Sequence, residues 1–357
     1  MPRVLVVATS HKTRGGITSV VKAHQQGLQW NEFHCKWIET HIDKGLFLKF
    51  LKVIPAFFEF LFLLPFYDLV HIHLSEPPSA MRKIIFVWLA KLFSKKTVIH
   101  FHSFSVETTI RSKYAFLYKF LFARADRVVV LSEYWKKEVE AVFPFVKVQV
   151  IYNPCPSSHS ISSLNSNPSC TQSKKCSILY AGTICHRKGY DDMIKAFARI
   201  AMKYPDWQIV FAGNGEVEKG KLLAKELNVS DQVVWLGWVN GLDKEKAFRD
   251  ATVFCLPSYA EGFPMSVLDA WSFGLPVITT PVGGIPDVSK DGKNMLLFSP
   301  GDVEKLSNCM ERIITDRNLR ESIAKESVRF AETMFNINTI NKQIGDLYNQ
   351  LLSEKEM

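Results

Sequence analysis

The chain has 357 residues, enough for two domains of ordinary size, and 47% of them are hydrophobic, which excludes a disordered polymer. Its formal charge of +9 is unevenly placed: residues 1–170 hold 21 Lys and Arg against 11 Asp and Glu, a net of +10, and the remainder holds 23 against 24, a net of −1. A basic first half points to an anionic partner, such as a membrane surface or a phosphate-bearing substrate, or only to a soluble basic face; neither paired zinc ligands nor a basic region with heptads argues for nucleic acid.

The N-terminus runs straight into a first buried strand at residues 4–8 and does not read as a signal peptide. His11-Lys-Thr-Arg-Gly-Gly-Ile-Thr18 follows, and Gly15 with Gly16 ahead of a helical run makes a turn where backbone can approach a ligand closely. The spacing is not Gly-x-Gly-x-x-Gly, so a dinucleotide fingerprint is not supported. Residues 44–67 are the most hydrophobic segment. Lys49, Lys52, Glu59, Pro55 and Pro65 argue against a spanning helix. Two readings stand: a packed helix pair, or an interfacial surface whose aromatic face enters the headgroup layer beside lysines.

Further strands are expected at 69–73, 97–102, 127–131 and 147–152. Alternation puts His71 with His73, and His100 with His102, on shared faces. Paired histidines suggest metal, but carboxylates at suitable spacing are missing, and hydrogen-bonded core histidines are the expectation for His71, His73 and His100. Residues 155–176 are rich in Ser, Asn and Pro and read as a linker or exposed loop. Strands at 177–181, 207–212, 233–236, 253–256, 276–279 and 294–298 follow, with helical stretches between most of them. Short apolar strands separated by helices imply parallel sheets covered on both faces. Residues 336–357 have helical spacing at Ile340, Ile344, Leu347 and Leu351. The seven cysteines are scattered, odd in number and without a Cys-x-x-Cys pair, which fits a reducing compartment with no disulfide framework and no zinc site.

The most informative stretch is Tyr259-Ala-Glu-Gly-Phe-Pro-Met-Ser-Val-Leu-Asp-Ala-Trp-Ser-Phe-Gly274. It puts Glu261 at the C-terminal end of a strand and Asp269 just over one turn into a helix that starts near Pro264. Ligands of open α/β sheets bind at that edge, helix-start N–H groups can hold phosphate, and a carboxylate can hold ribose hydroxyls. This is the layout of a nucleotide site.

Here the chain resembles retaining glycosyltransferases of family 4, which have the GT-B fold. The signature of that family is Glu-x7-Glu, and this sequence reads Glu261-x7-Asp269 within a matching context from Leu256 to Val288. The resemblance runs from Gly15 to about Phe335 and is strongest over 177–300. It implies an α/β GT-B fold with two Rossmann-like domains facing across a cleft. These are an acceptor-binding domain at 1–154, the linker at 155–176, a nucleotide-sugar-binding domain at 177–335, and a terminal helix at 336–357 crossing back to the first domain.

Residue by residue, the resemblance implies that Glu261 orients the donor sugar and stabilises developing positive charge, while Asp269, shorter than the family's acid by one methylene, holds the ribose. Lys188 matches the family's lysine against the donor diphosphate. Thr183 stands where an arginine is usual after Gly182, and Arg187 supplies the missing cation. Gly213, Gly215 and the Gly237-Trp238-Val239 backbone line the base and phosphate pocket, as do Gly262, Phe263, Pro264, Met265 and Ser266. Gly15 and Gly16 face donor phosphate, and His102 contacts a sugar hydroxyl. No Asp-x-Asp triplet exists in the chain. The leaving diphosphate is therefore expected to be stabilised by Lys, Arg and backbone N–H groups, with no metal and no other cofactor.

The sequence reading is a retaining transferase moving a sugar, from a UDP-sugar by preference, to a glycan or polyprenyl-linked glycan. A cytoplasmic protein, peripheral at the inner face of the cell membrane and serving surface polysaccharide synthesis, is the expected setting. A non-catalytic GT-B scaffold that binds nucleotide or lipid stays open beside it.

Overall fold

The structure, a computed structural model, describes residues 1–41, 46–156 and 176–354; the side chains of 46–52 lie outside the description. The chain divides into two compact units. The first comprises Met1–Pro154, Glu261–Phe263 and Phe335–Met357, and the second Cys155–Ala260 and Pro264–Met334.

The first unit is built on β1 (Val4–Ala8), β2 (Lys36–Glu39), β3 (Leu69–Leu74), β4 (Lys96–Phe101), β5 (Arg127–Val130) and β6 (Val148–Val150), all parallel, in the order β2-β1-β3-β4-β5-β6. Helices α1 (Gly16–His24), α2 (Leu28–Glu32), α3 (Leu46–Leu63), α4 (Pro77–Leu92), α5 (Ala115–Phe122) and α6 (Glu133–Val142) connect them. The central strands are buried on both faces, so they read as unbroken apolar runs. β2 was not among the expected strands: Lys-Trp-Ile-Glu is a short edge strand, and only Ile38 is fully buried, so no apolar run marks it.

The second unit repeats the plan with β7 (Cys176–Ala181), β8 (Trp207–Ala212), β9 (Val233–Gly237), β10 (Val253–Leu256), β11 (Val277–Thr279) and β12 (Leu296–Leu297), parallel, in the order β12-β11-β10-β7-β8-β9. Its helices are α7 (Tyr190–Ala198), α8 (Val217–Glu226), α9 (Gly241–Asp250), α10 (Met265–Ser272), α11 (Val303–Thr315) and α12 (Arg317–Glu332). The last helix, α13 (Ile337–Ser353), belongs to the first unit. There Ile340, Ile344, Leu347, Tyr348 and Leu351 join Val4, Val6, Leu69 and Val98 in one core, on the sheet face that α1 also covers. The opposite face packs on α3, α4, α5 and α6.

Three expectations need comment. Residues 46–66 form one 18-residue helix and a short 3-10 turn rather than a helix pair, because Pro55 sits inside the helix without ending it. Residues 42–45 and most of the expected linker, 157–175, lie outside the described residues. Cys35, Cys155, Cys185, Cys255 and Cys309 are free thiols, but Cys176 is disulfide-bonded, which departs from the expectation of unbridged cysteines.

Candidate functional site

In the second unit the strand-end loops after β7, β8 and β10 are stitched together. Gly182 and Gly215 take φ of +147° and +129°, and Gly189 takes +69°, conformations that side-chain-bearing residues rarely adopt. A Cβ on Gly213 would meet the Gly182 carbonyl oxygen at 1.8 Å, and one on Gly189 would meet the Pro257 oxygen at 2.0 Å. Ile184 N–H donates to Asn214 O at 2.7 Å and Glu216 N–H to Ile184 O at 2.8 Å. The Arg187 guanidinium donates to Ala260 O at 2.6 Å, and Tyr259 N–H donates to Arg187 O at 2.8 Å. The Lys188 side chain lies over Gly182, its Cδ 3.6 Å from where a Cβ would stand there. Arg187, Lys188, Gly182, Thr183, Gly213 and Gly215 therefore share one sheet edge. Gly237 ends β9, the outermost strand, at φ +69°, and half-buried Trp238 and Val239 follow it on the far side of β8.

Helix α10 begins at Met265 with Pro264 as its N-cap, and Asp269 is its fifth residue, 5% exposed. Asp269 Oδ2 pairs with Lys244 Nζ of α9 at 2.7 Å. Burial raises the Asp269 pKa from its ordinary value, and the ammonium of Lys244 opposes that rise. Tyr259 O–H donates to Asp192 Oδ2 at 2.7 Å, and Asp191 pairs with His186 and with Lys195 at 3.2 and 3.0 Å. Asp191 and Asp192 thus sit in the first turn of α7, where the helix dipole favours negative charge.

In the first unit Gly15 caps α1 at φ +139° with open space where a Cβ would point, and Gly16 is the first helical residue. Glu76, at the start of α4, accepts from Ser103 Oγ at 2.8 Å and from Thr108 Oγ1. The Glu261–Phe263 segment lands at the end of β4: a Cβ on Gly262 would stand 2.6 Å from the Ser103 carbonyl oxygen, and Asn153 Nδ2 donates to Phe263 O at 3.3 Å. The backbone beside Glu261 is thereby brought to the residue that follows His102. Glu261 itself is 7% exposed. A cavity of about 600 Å³ opens beside this edge, lined by Pro77, Pro78, Met81, Thr108, Lys113 and Tyr114 among others.

His102 is half-buried and its Nε2 lies 2.9 Å from His73 Nδ1. Burial pushes its pKa down to about 3, and His24 and Lys83 oppose a second positive charge. It is a neutral imidazole at physiological pH, suited to hydrogen-bonding a hydroxyl. Behind it stand His100, His73 and His71, with ring centroids 4.3, 4.9 and 4.5 Å apart in that order.

Sequence reasoning did not find Lys244, Lys83 or His24. Lys244 sits 25 residues before Asp269 on a solvated-looking helix, and nothing in its local spacing marks it. Lys83 is fully buried on α4, where Nζ donates to Ser79 Oγ at 2.9 Å, and burial drops its pKa to about 7. A lysine within an apolar helical stripe was the available signal.

Residues 165–329 match the family described as Glycosyl transferases group 1, and residues 5–158 match Glycosyltransferase Family 4. The chain is 28% identical over 232 residues to an uncharacterized glycosyltransferase of Methanocaldococcus jannaschii, covering 62% of this chain and 59% of that one. It is 29% identical over 172 residues to the lipopolysaccharide 1,6-galactosyltransferase of Salmonella typhimurium, covering 47% and 46%. The chain thus spans about half the length of the curated relatives it matches. A solved structure of Anabaena HepE in complex with UDP-glucose is similar in fold, with a TM-score of 0.76 at 19% identity over 98% of this chain and 99% of that one.

Proposed function

Since the chain belongs to the GT-B glycosyltransferases of group 1 and family 4, we propose that it moves a sugar from a nucleotide sugar, UDP-sugar favoured, to a glycan or lipid-linked glycan acceptor of surface polysaccharide synthesis. The transfer retains the anomeric configuration and needs no metal ion. The observation that carries this reading is the stitched loop set that holds Arg187 and Lys188 over glycine backbone at the edge of one sheet. Two cations fixed there stabilise a leaving diphosphate as its charge develops. The bond from the anomeric carbon to the phosphate oxygen breaks, and the acceptor oxygen bonds to the same face of that carbon. The hydroxyl proton passes to the leaving phosphate. Glu261 orients the donor sugar and balances its positive charge, His102 bonds a sugar hydroxyl, and Asp269 holds the ribose. Gly15 and Gly16 meet the donor phosphate, and the remaining pocket backbone is supplied by Gly213, Gly215, Gly237–Val239 and Gly262–Ser266.

The acceptor side draws on the first unit. Ile54, Phe58, Phe62 and Phe66 are 54–73% exposed at four-residue spacing along α3 and the turn after it. Lys95 Nζ donates to Pro65 O at 3.2 Å, which sets a cation beside that stripe. No helix among the described residues is long and apolar enough to cross a membrane. An aromatic stripe with adjacent lysine suits a peripheral seat on an anionic leaflet of the cell membrane's inner face. A second reading, a nucleotide-binding scaffold without turnover, draws on the Lys244–Asp269 ion pair, which gives Asp269 a structural partner.

Thermal shift and calorimetry with UDP, GDP and ADP test the donor site. The wild-type chain is expected to bind UDP, and Asp269→Asn to bind it at least tenfold more weakly. Equal binding of UDP by wild type and variant would refute the assignment of Asp269.

A further inference from the structure

His71 and His73 are two residues apart on β3, and the parallel register pairs His73 with His100 of β4. Side-chain parity turns all three onto the face covered by α1 and α13. His24, the last residue of α1, comes down on them from above, its ring centroid 6.1 Å from His73 and 6.0 Å from His100. All four are buried, at 3% exposure or less. Nδ1 is anchored in three of them: His24 to Asn341 Oδ1 at 2.8 Å, His71 to the Tyr348 hydroxyl at 2.6 Å, and His73 to His102 Nε2 at 2.9 Å. Nε2 of each has no hydrogen-bond partner among the described residues, and neither ring nitrogen of His100 has one. A buried polar nitrogen without a partner is destabilising, and five of them in one place need a common explanation.

One ligand atom from each of His71, His73 and His100 falls within 4.8 Å of the others. An ion bound at about 2.0–2.1 Å by tetrahedral imidazoles requires nitrogens roughly 3.4 Å apart. The rings now stack with interplanar angles of 4–26°, so rotation about Cβ–Cγ is what converges them. Nitrogen-only donors without a carboxylate select zinc, cobalt, nickel or copper over magnesium, calcium or manganese. The partners on Nδ1 are the outer groups that orient a metal-ligating imidazole and fix its tautomer.

We propose that His71, His73 and His100 form a buried transition-metal site, with His24 facing the fourth position and half-buried His102 marking the way in. The site lies in the first unit, whereas Arg187 and Lys188 are in the second, and His102, 2.9 Å from His73 and assigned to a sugar hydroxyl, is the residue the two sites share. The expectation of structural histidines alone rested on missing carboxylates; a three-imidazole set does not need them.

The test uses the full chain without an affinity tag, cleared with a chelator and then titrated with zinc or cobalt ions. Binding of one zinc per chain is expected, with a higher thermal midpoint, a visible cobalt d–d band, and an X-ray absorption edge fitted by three or four nitrogens near 2.0 Å. Magnesium should do none of this. His73→Asn and His100→Gln should each weaken zinc binding by roughly a hundredfold and Tyr348→Phe by about tenfold, whereas exposed His34→Asn should change nothing. Absence of stoichiometric zinc binding by the folded wild-type chain would overturn the proposal. So would a bound ion whose absorption spectrum shows no imidazole shell, a result that needs no variant to fold.

Discussion

Lys244 holds the Asp269 carboxylate at 2.7 Å, yet burial still raises the Asp269 pKa above its ordinary value. A carboxyl raised in the fold adds stability at low pH and forfeits it as pH rises through the folded value. Asp269→Asn should therefore raise the thermal midpoint at pH 7 while weakening UDP binding, and the gain should vanish as pH falls toward 3.8. A denaturation series across pH 3–8 checks this. Lys83 gives the opposite window. Its pKa falls from 10.5 to about 7, so between those values the unfolded chain binds the extra proton and stability rises with pH. Lys83→Met should stabilise the chain at pH 7.5 by at most about 4 kcal/mol and flatten its pH dependence from 7 to 10.5. Lys188→Ala should lower kcat by about 10²–10³ with little change in melting. The placement of Glu261 in the turn after β10 and of Asp269 on α10 was legible because turn chemistry and helix phase sit within sixteen consecutive residues. Lys244 and His24 were not, because a partner reached only through tertiary packing leaves no local spacing to read.

Element boundaries followed the same logic. Strands buried on both faces, such as β1, β8 and β10, matched the expected spans because every residue in them except the partly buried Gln208 of β8 is apolar or small. β12 shrank from the expected 294–298 to Leu296–Leu297, since the Asn294 side chain turns back on Lys290 N and Val288 O at 2.8 Å each and closes a loop instead. Along α3 and the 3-10 turn after it the burial alternates by face: Ala56, Phe60 and Leu64 join the core, and Phe58, Phe62 and Phe66 face outward. Replacing those three outward aromatics by serine should leave the thermal midpoint within a few degrees, because they bury little. Flotation with vesicles containing anionic lipid should show binding lost by at least tenfold, each exposed aromatic being worth about 1.5–3 kcal/mol once buried. The loop glycines admit no such freedom. Gly213→Val pushes a branched side chain into the Gly182 carbonyl and should cost about 3 kcal/mol along with UDP binding, read by denaturant melts and calorimetry.

At the scale of the chain, two units of similar plan carry different charge: the first holds 23 Lys and Arg against 15 Asp and Glu, a net of +8, and the second 21 against 20, a net of +1. The doubly wound class was readable from strand and helix alternation. The return of α13 and of Glu261–Phe263 into the first unit is a product of long-range packing that no window of sequence contains. Charge on the first unit implies that vesicle binding weakens between 0.1 and 1 M salt, as the screening length contracts from about 10 to about 3 Å. In the proposed reaction, donor chemistry in the second unit draws on Arg187 and Lys188 rather than on an ion. The most direct measurement is release of nucleoside diphosphate from UDP-, GDP- and ADP-sugars by the folded chain in excess chelator, at a temperature well below its melting point. The account predicts slow release from one UDP-sugar, insensitive to the chelator and abolished by Lys188→Ala. A folded chain that binds UDP yet releases nothing from any of these sugars, or releases it only when magnesium or manganese is added, would contradict it.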